Sequence, residues 1–306
     1  MFMINFSRWE SAGPFHIRKA KCILMIKMCN PFNGDNTFLY MIKRIGGISV
    51  SDIGIGTWGM GGTSKADYRN DHESVETLRY ALSKGITLID TAEMYAAGHS
   101  EELVGKAING MDRKKIFITT KIWHTHLQKD QVKKSMEESL KRLGSDYVDL
   151  LLIHWPNPSV PIGETIGAME DLVKEGKTRM IGVSNFDVQQ MKDAMAACRD
   201  SVIAANQIEY NYFSRSGEHS VIPFCEENGI SVIAYSPINR GKIDGSDALN
   251  RMANKYSCKP MQMSLRYVME RSIPIPKTSD KSHLDELLGA KNINLNKEDY
   301  NILASA

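Results

Sequence analysis

The sequence predicts an α/β protein folded as a (β/α)8 barrel, with a small β-hairpin ahead of the first strand closing the bottom. Three observations carry this. Short apolar runs alternate with helical patterns without a break from about residue 42 onward, as in a parallel sheet whose strands are buried on both faces. The regular part, residues 41–306 of a 306-residue chain, matches the roughly 250 residues such a barrel takes. Finally, polar residues stand where successive apolar runs stop, and in a barrel the chemistry sits on the loops after the strands. A doubly wound sheet is the alternative, since one sequence does not reveal strand order.

Residues 42–52 read as the hairpin, with Gly46-Gly47 as its turn. The strand expectations are 53–57, 87–90, 116–121, 148–154, 179–183, 203–208, 231–235 and 272–276. Among the helices between them, the clearest carries Val132, Met136, Leu140 and Leu143 on one face, and Gly144 follows as a stop. A second runs from Met261 to Met269, and the tail from 296 to 306 holds one more.

The first forty residues lack this regularity. Their longest apolar run, Ile23-Leu24-Met25-Ile26, lies between Lys21 and Lys27, too short for a signal-peptide core or a membrane span. The organisation expected is a 1–40 extension of unknown role and a 41–306 barrel domain. A net charge of +2 with both signs interspersed argues against a nucleic-acid surface. Five cysteines without a CxxC pair or ligand spacing suggest reduced thiols and a cytoplasmic setting.

Asp90, Tyr95, Lys121 and His154 are the strand-end residues that matter most. A carboxylate, a phenol, an ammonium and an imidazole on one rim make a proton-transfer site. Gly54-Ile55-Gly56-Thr57-Trp58-Gly59 matches a dinucleotide fingerprint by letter. That fingerprint needs a helix immediately afterwards and an acidic residue about 20 positions on. Here Gly61-Gly62-Thr63-Ser64-Lys65 continues as loop, so a rim loop is the better reading.

Asp90-Thr91-Ala92-Glu93-Met94-Tyr95, with Lys121 and then His154 downstream, resembles the aldo-keto reductase family. Six further segments agree: Gly54–Trp58, Ser100–Gly105, Ile181–Phe186, Asn206–Tyr210, Tyr235–Pro237 and Ile275–Ser279. The resemblance runs from about residue 42 to 304. It implies NADP(H)-dependent reduction of aldehydes and ketones, with Asp90, Tyr95, Lys121 and His154 as the catalytic set. Tyr95 would give the proton, although a free phenol near pKa ~10 is a poor acid at neutral pH. Lys121 would lower that pKa, Asp90 would hold Lys121, and His154 would donate to the carbonyl oxygen.

Cofactor positions follow from the same resemblance: Gly56, Thr57 and Asp90 among the contacts, Ser184, Asn185 and Gln207 on the nicotinamide carboxamide, and Tyr235 stacked on the ring. Ser236, Pro237, Ile238 and Arg240 would follow the pyrophosphate. Lys277, Thr278 and Ser279 would meet the ribose phosphate, favouring NADPH with NADH possible. Two departures bear on this: where the family usually has an arginine and an asparagine, this chain has His283 and Leu287, while Glu286 is kept. Trp58, Trp123 and Trp155, with His154, would wall the pocket for a small-molecule carbonyl substrate. No long C-terminal loop is evident, which suggests an open site with a broad substrate range. Two other functions stay open. One is a regulatory nicotinamide-binding barrel subunit. The other is a metal-dependent hydrolase built on His124-Thr125-His126, although the later strand ends carry no further ligands for a metal.

Overall fold

The computed structural model describes residues 43–306. The 1–40 extension, its Ile23–Ile26 run and residue 42 of the expected hairpin lie outside the described residues. Strands β1 (Arg44–Ile45) and β2 (Ile48–Ser49) pair antiparallel. Gly46 and Gly47 both take positive φ, at 52° and 87°. A two-residue hairpin turn that matches strand twist requires this.

Eight parallel strands follow: β3 (Ile55–Gly56), β4 (Leu88–Asp90), β5 (Phe117–Ile122), β6 (Val148–Ile153), β7 (Thr178–Ser184), β8 (Ile203–Glu209), β9 (Ser231–Tyr235) and β10 (Ile273–Pro274). They pair in chain order. The first and last are joined by Gly54 N–H donating to Pro274 O at 2.9 Å and Gly56 N–H to Pro276 O at 3.0 Å. The sheet therefore curls into a barrel, and the doubly wound alternative is set aside. Each expected strand is present, the terminal ones shorter than expected because their ends join through these few bonds.

The glycines of the apparent fingerprint serve this closure. A Cβ on Gly56 would lie 2.8 Å from Ile275 O, and one on Gly54 2.9 Å from Leu88 and Ile275 side chains. They are there so that the first and last strands can approach, and no helix begins until Asp71.

Helices cover the outside: α1 (Asp71–Ser83), α2 (His99–Ile108), α3 (Lys129–Leu143), α4 (Ile162–Lys174), α5 (Val188–Ala197), α6 (Val221–Glu227), α7 (Asp247–Lys255), α8 (Pro260–Met269), α9 (Lys281–Leu288) and α10 (Lys297–Ser305). In α3 the expected residues Val132, Met136, Leu140 and Leu143 are buried, and Gly144 ends the helix at φ 58°. Helix α8 starts at Pro260, whose missing N–H costs nothing in a first turn. Helix α7 has no counterpart in the sequence reading.

The hydrophobic core has two parts. A large layer lies between helices and sheet. A smaller one unites Ile45 and Val50 of the hairpin with Leu88, Phe117, Leu150, Ala204, Ile233 and Ile273 of the strands. Ser231 Oγ also donates to Arg44 O at 2.7 Å. The hairpin thus plugs the end where the strands begin, as expected, and the other end is left for the site.

Candidate active site

Asp90 ends β4, Lys121 stands one residue before the end of β5, and His154 directly follows β6. In-register parallel pairing puts these ends on one rim. Tyr95 is brought in by the loop after β4. Immediately beyond it, Ala96 and Ala97 adopt left-handed backbone at φ 51° and 55°, and Gly98 follows at 94°. Lys121 Nζ is fully buried and donates to Asp90 Oδ2 at 2.6 Å, Thr91 O at 2.9 Å and Tyr95 Oη at 3.0 Å. Gln207 Nε2 donates to the other Asp90 oxygen at 2.7 Å. All three donors on Lys121 are therefore used, and both Asp90 oxygens are satisfied.

Burial alone would lower the Lys121 pKa, but Asp90 and Tyr95 outweigh it and hold the ammonium above its ordinary value. Burial also dominates at Asp90, whose carboxyl is raised despite Lys121 and Gln207. The 2.6 Å contact and the Gln207 N–H both favour a carboxylate paired with an ammonium. At Tyr95 the outcome differs from the sequence expectation. Burial pushes the phenol up, and the pull from Lys121 offsets only part of it, with Asp90 opposing that pull. The direction of the shift favours the protonated phenol, the form a proton donor needs.

His154 is lowered to about 2, first by burial and then by the charge of Lys121 and the neighbouring His124. It is a neutral imidazole at physiological pH, able to donate from one ring nitrogen. Its ring meets Tyr95 edge-on at 5.6 Å and Trp123 at 5.1 Å between centroids. Trp58 meets Tyr95 at 5.0 Å.

These groups line a cavity of about 670 Å³. Trp155 and Met94 join Trp58 and Trp123 in its wall. Ser184, Asn185, Gln207 and Tyr235 also line it, with Gly56 and Asp90. Asn185, at φ 63°, is pinned by its side chain: Nδ2 donates to His154 O at 3.1 Å and Oδ1 accepts from Tyr235 Oη at 2.9 Å. Ser236, Pro237, Ile238, Arg240, Lys277 and His283 line the rest. Lys277 and Arg240 make this stretch cationic, suited to phosphate, and the exposed face of Tyr235 suits a flat ring.

Other expected residues lie just outside the cavity lining. Thr57 is buried, its hydroxyl donating to Asp90 O at 3.0 Å. Thr278 Oγ1 caps its own turn at Asp280 N and meets His283 Nδ1 at 3.2 Å. Ser279 O accepts from Thr77, and Glu286 is paired with Lys259 Nζ at 2.7 Å. The His124 ring packs on Trp123, and His126 turns onto Glu93. Among the described residues no group of three His, Cys, Asp or Glu is placed to hold a metal. The sequence reading missed Met94, Glu209, Gly241, Ile275 and Pro276 in the lining. Ile275 and Pro276 stand inside a segment already singled out, so their neighbour Lys277 was the available signal.

A family model described as "Aldo/keto reductase family" matches residues 52–306. The aldo-keto reductase YhdN of Bacillus subtilis is 42% identical over 65% of this chain, a stretch that spans 62% of the relative's own length. The methylglyoxal reductase YeaE of Escherichia coli is 33% identical over 87% of this chain and 94% of its own. A crystal structure of an aldo-keto reductase from Klebsiella pneumoniae in complex with NADPH superposes with a TM-score of 0.78. It is 35% identical, over 84% of this chain and 91% of that one. The motif order, the closed barrel and these matches agree, and the chain belongs to the aldo-keto reductase family.

Proposed function

We propose that this protein reduces aldehydes and ketones to alcohols, with NADPH as the hydride donor. The observation that carries the reading is the buried Asp90–Lys121–Tyr95 chain of hydrogen bonds at a cavity also lined by Trp58, Trp123, Trp155, Arg240 and Lys277. NADPH, when bound, supplies the hydride to the carbonyl carbon. Tyr95 gives its proton to the carbonyl oxygen. Lys121 stabilises the phenolate this leaves, and Asp90 keeps Lys121 in place. Neutral His154 donates a hydrogen bond to the same oxygen, orienting it and supporting the charge that develops there. Ser184, Asn185 and Gln207 would present hydrogen-bonding groups to the carboxamide, and Tyr235 a face to the ring.

Lys277 supports NADPH over NADH, and the NADPH complex of the Klebsiella relative supports the same choice. The relative named a methylglyoxal reductase makes small aldehydes sensible first substrates. Trp58 and Trp155 are exposed at 45% and 43%, which suits an open pocket and broad acceptance. We place the enzyme in a reducing cytoplasm. Support comes from Cys198, Cys225 and Cys258 being free thiols, and among the described residues no helix is long and apolar enough to cross a membrane. The barrel domain is taken as 41–306.

The test is oxidation of NADPH, followed by absorbance, with a panel of aldehydes. Wild type turns over. Tyr95→Phe loses far more than tenfold, about 1.4 kcal/mol of barrier, while still binding NADPH. Activity retained within tenfold removes Tyr95 from its role. No turnover by wild type with intact NADPH binding supports the regulatory alternative instead.

A further inference from the structure

Glu93 has no part in the chemistry above, yet its carboxylate is bonded into the wall beside it. It sits two residues before Tyr95 and its side chain is only 7% exposed. Its Oε1 accepts the backbone N–H of Trp123 at 2.5 Å and contacts His126 Nδ1 at 3.0 Å. Trp123 and His126 are the two ends of a single turn, closed by His126 N–H donating to Trp123 O at 2.8 Å. One oxygen therefore grips both ends of the turn that leaves β5. That turn presents the Trp123 indole to the cavity and against His154. The loop bearing Tyr95 and the wall bearing Trp123 are tied through this carboxylate.

We infer that Glu93 is a positioning residue of the substrate pocket. By clasping the 123–126 turn it fixes Trp123 against His154, and so sets where the carbonyl group rests relative to Tyr95. The inference rests on the reductase reading above. Its physical basis is that a hydrogen bond to an ionised acceptor is stronger than a neutral one. A misplacement of about 1 Å at a reacting centre can cost on the order of a hundredfold in rate. Sequence alone could not assign this role, because the partner is a backbone N–H thirty positions away.

The experiment compares aldehyde KM and kcat, and NADPH Kd, in wild type, Glu93→Ala, Glu93→Gln, Trp123→Ala and the double variant Glu93→Ala/Trp123→Ala. Glu93→Ala should lower aldehyde kcat/KM by about tenfold or more, with kcat sharing in the loss, while leaving NADPH Kd within about twofold. Glu93→Gln keeps the size and an acceptor oxygen, so its kcat/KM should fall only about threefold, being a neutral instead of a charged acceptor. On the Trp123→Ala background, removing Glu93 should add little, because coupled residues are not additive. An unchanged kcat/KM in Glu93→Ala overturns the inference, as does full additivity with Trp123→Ala. If Glu93→Ala does not fold, an unchanged kcat/KM in Glu93→Gln overturns it equally. Failure of wild type to reduce any aldehyde would instead strike the reductase reading itself.

Discussion

Replacing Lys121 with methionine should cost both catalysis and stability, and the structure gives the size of the second. Lys121 is fully buried and Asp90 is 2% exposed. Methionine keeps most of the aliphatic stem, so the change in packing volume is small. What remains is a buried carboxylate with its Gln207 bond and no counter-charge. Breaking such a pair from one side costs about 3–5 kcal/mol. That penalty should be smaller at pH 5 than at pH 8, because Asp90 can escape part of it by taking up a proton. Removing the stranded charge as well, in Asp90→Asn/Lys121→Met, should recover most of the stability and none of the activity. The assay is urea unfolding followed by circular dichroism, alongside NADPH-dependent aldehyde turnover. A Lys121→Met protein within about 1 kcal/mol of wild type would refute the reasoning. So would a double variant no more stable than the single one.

Three other outcomes are expected. His154 is neutral when folded, with a pKa lowered from 6.5 to about 2, so the unfolded chain binds its proton first as pH falls. Its contribution to stability is complete above pH 6.5 and is lost below it, at up to ~1.4 kcal/mol per pH unit; urea unfolding at pH 7 and pH 5 should show this loss reduced in His154→Gln. Fluorescence titration should give a tighter Kd for NADPH than for NADH, with Lys277→Ala closing most of the gap; equal constants in wild type would mean that His283 and Leu287 have weakened the phosphate pocket. Deleting residues 1–40 should leave a folded, active enzyme, since every proposed site residue lies beyond Gly54; aggregation or loss of most turnover in the Met41-start protein would show that the extension belongs to the fold.

The proposed catalytic positions stood out in the sequence because they follow or interrupt apolar runs. A charged residue at the end of Ile116–Thr120, or an imidazole after Val148–Ile153, has no packing reason to be there. The barrel was legible for the same reason, in the spacing of those runs. The glycines around Ile55 shared a pattern with a phosphate loop, and only the neighbouring strands revealed that they admit the Ile275 backbone. Helix α7 escaped notice because its apolar residues, Leu249 and Met252 among them, follow a glycine-containing loop and cover little more than two turns. The net shift at Tyr95 was not legible either. Spacing predicted the ammonium beside it, but the extent of burial that outweighs the ammonium is a property of the folded site.

The two alanines after Tyr95 carry a consequence for how this protein could change. A left-handed backbone costs a residue with a β-carbon roughly 1–2 kcal/mol, and Ala96 and Ala97 both adopt it directly behind the phenol. Ala97 is exposed, so a glycine there would relieve tension without leaving a hole, although it would also loosen the unfolded chain. The stretch that aims the phenol is held as a loaded spring, kept compressed by its surroundings, among them Ala96 N–H donating to Thr63 O at 2.5 Å. A more relaxed loop would be easier to fold and freer to swing. The chain has accepted a less comfortable backbone directly behind the side chain proposed to give the proton.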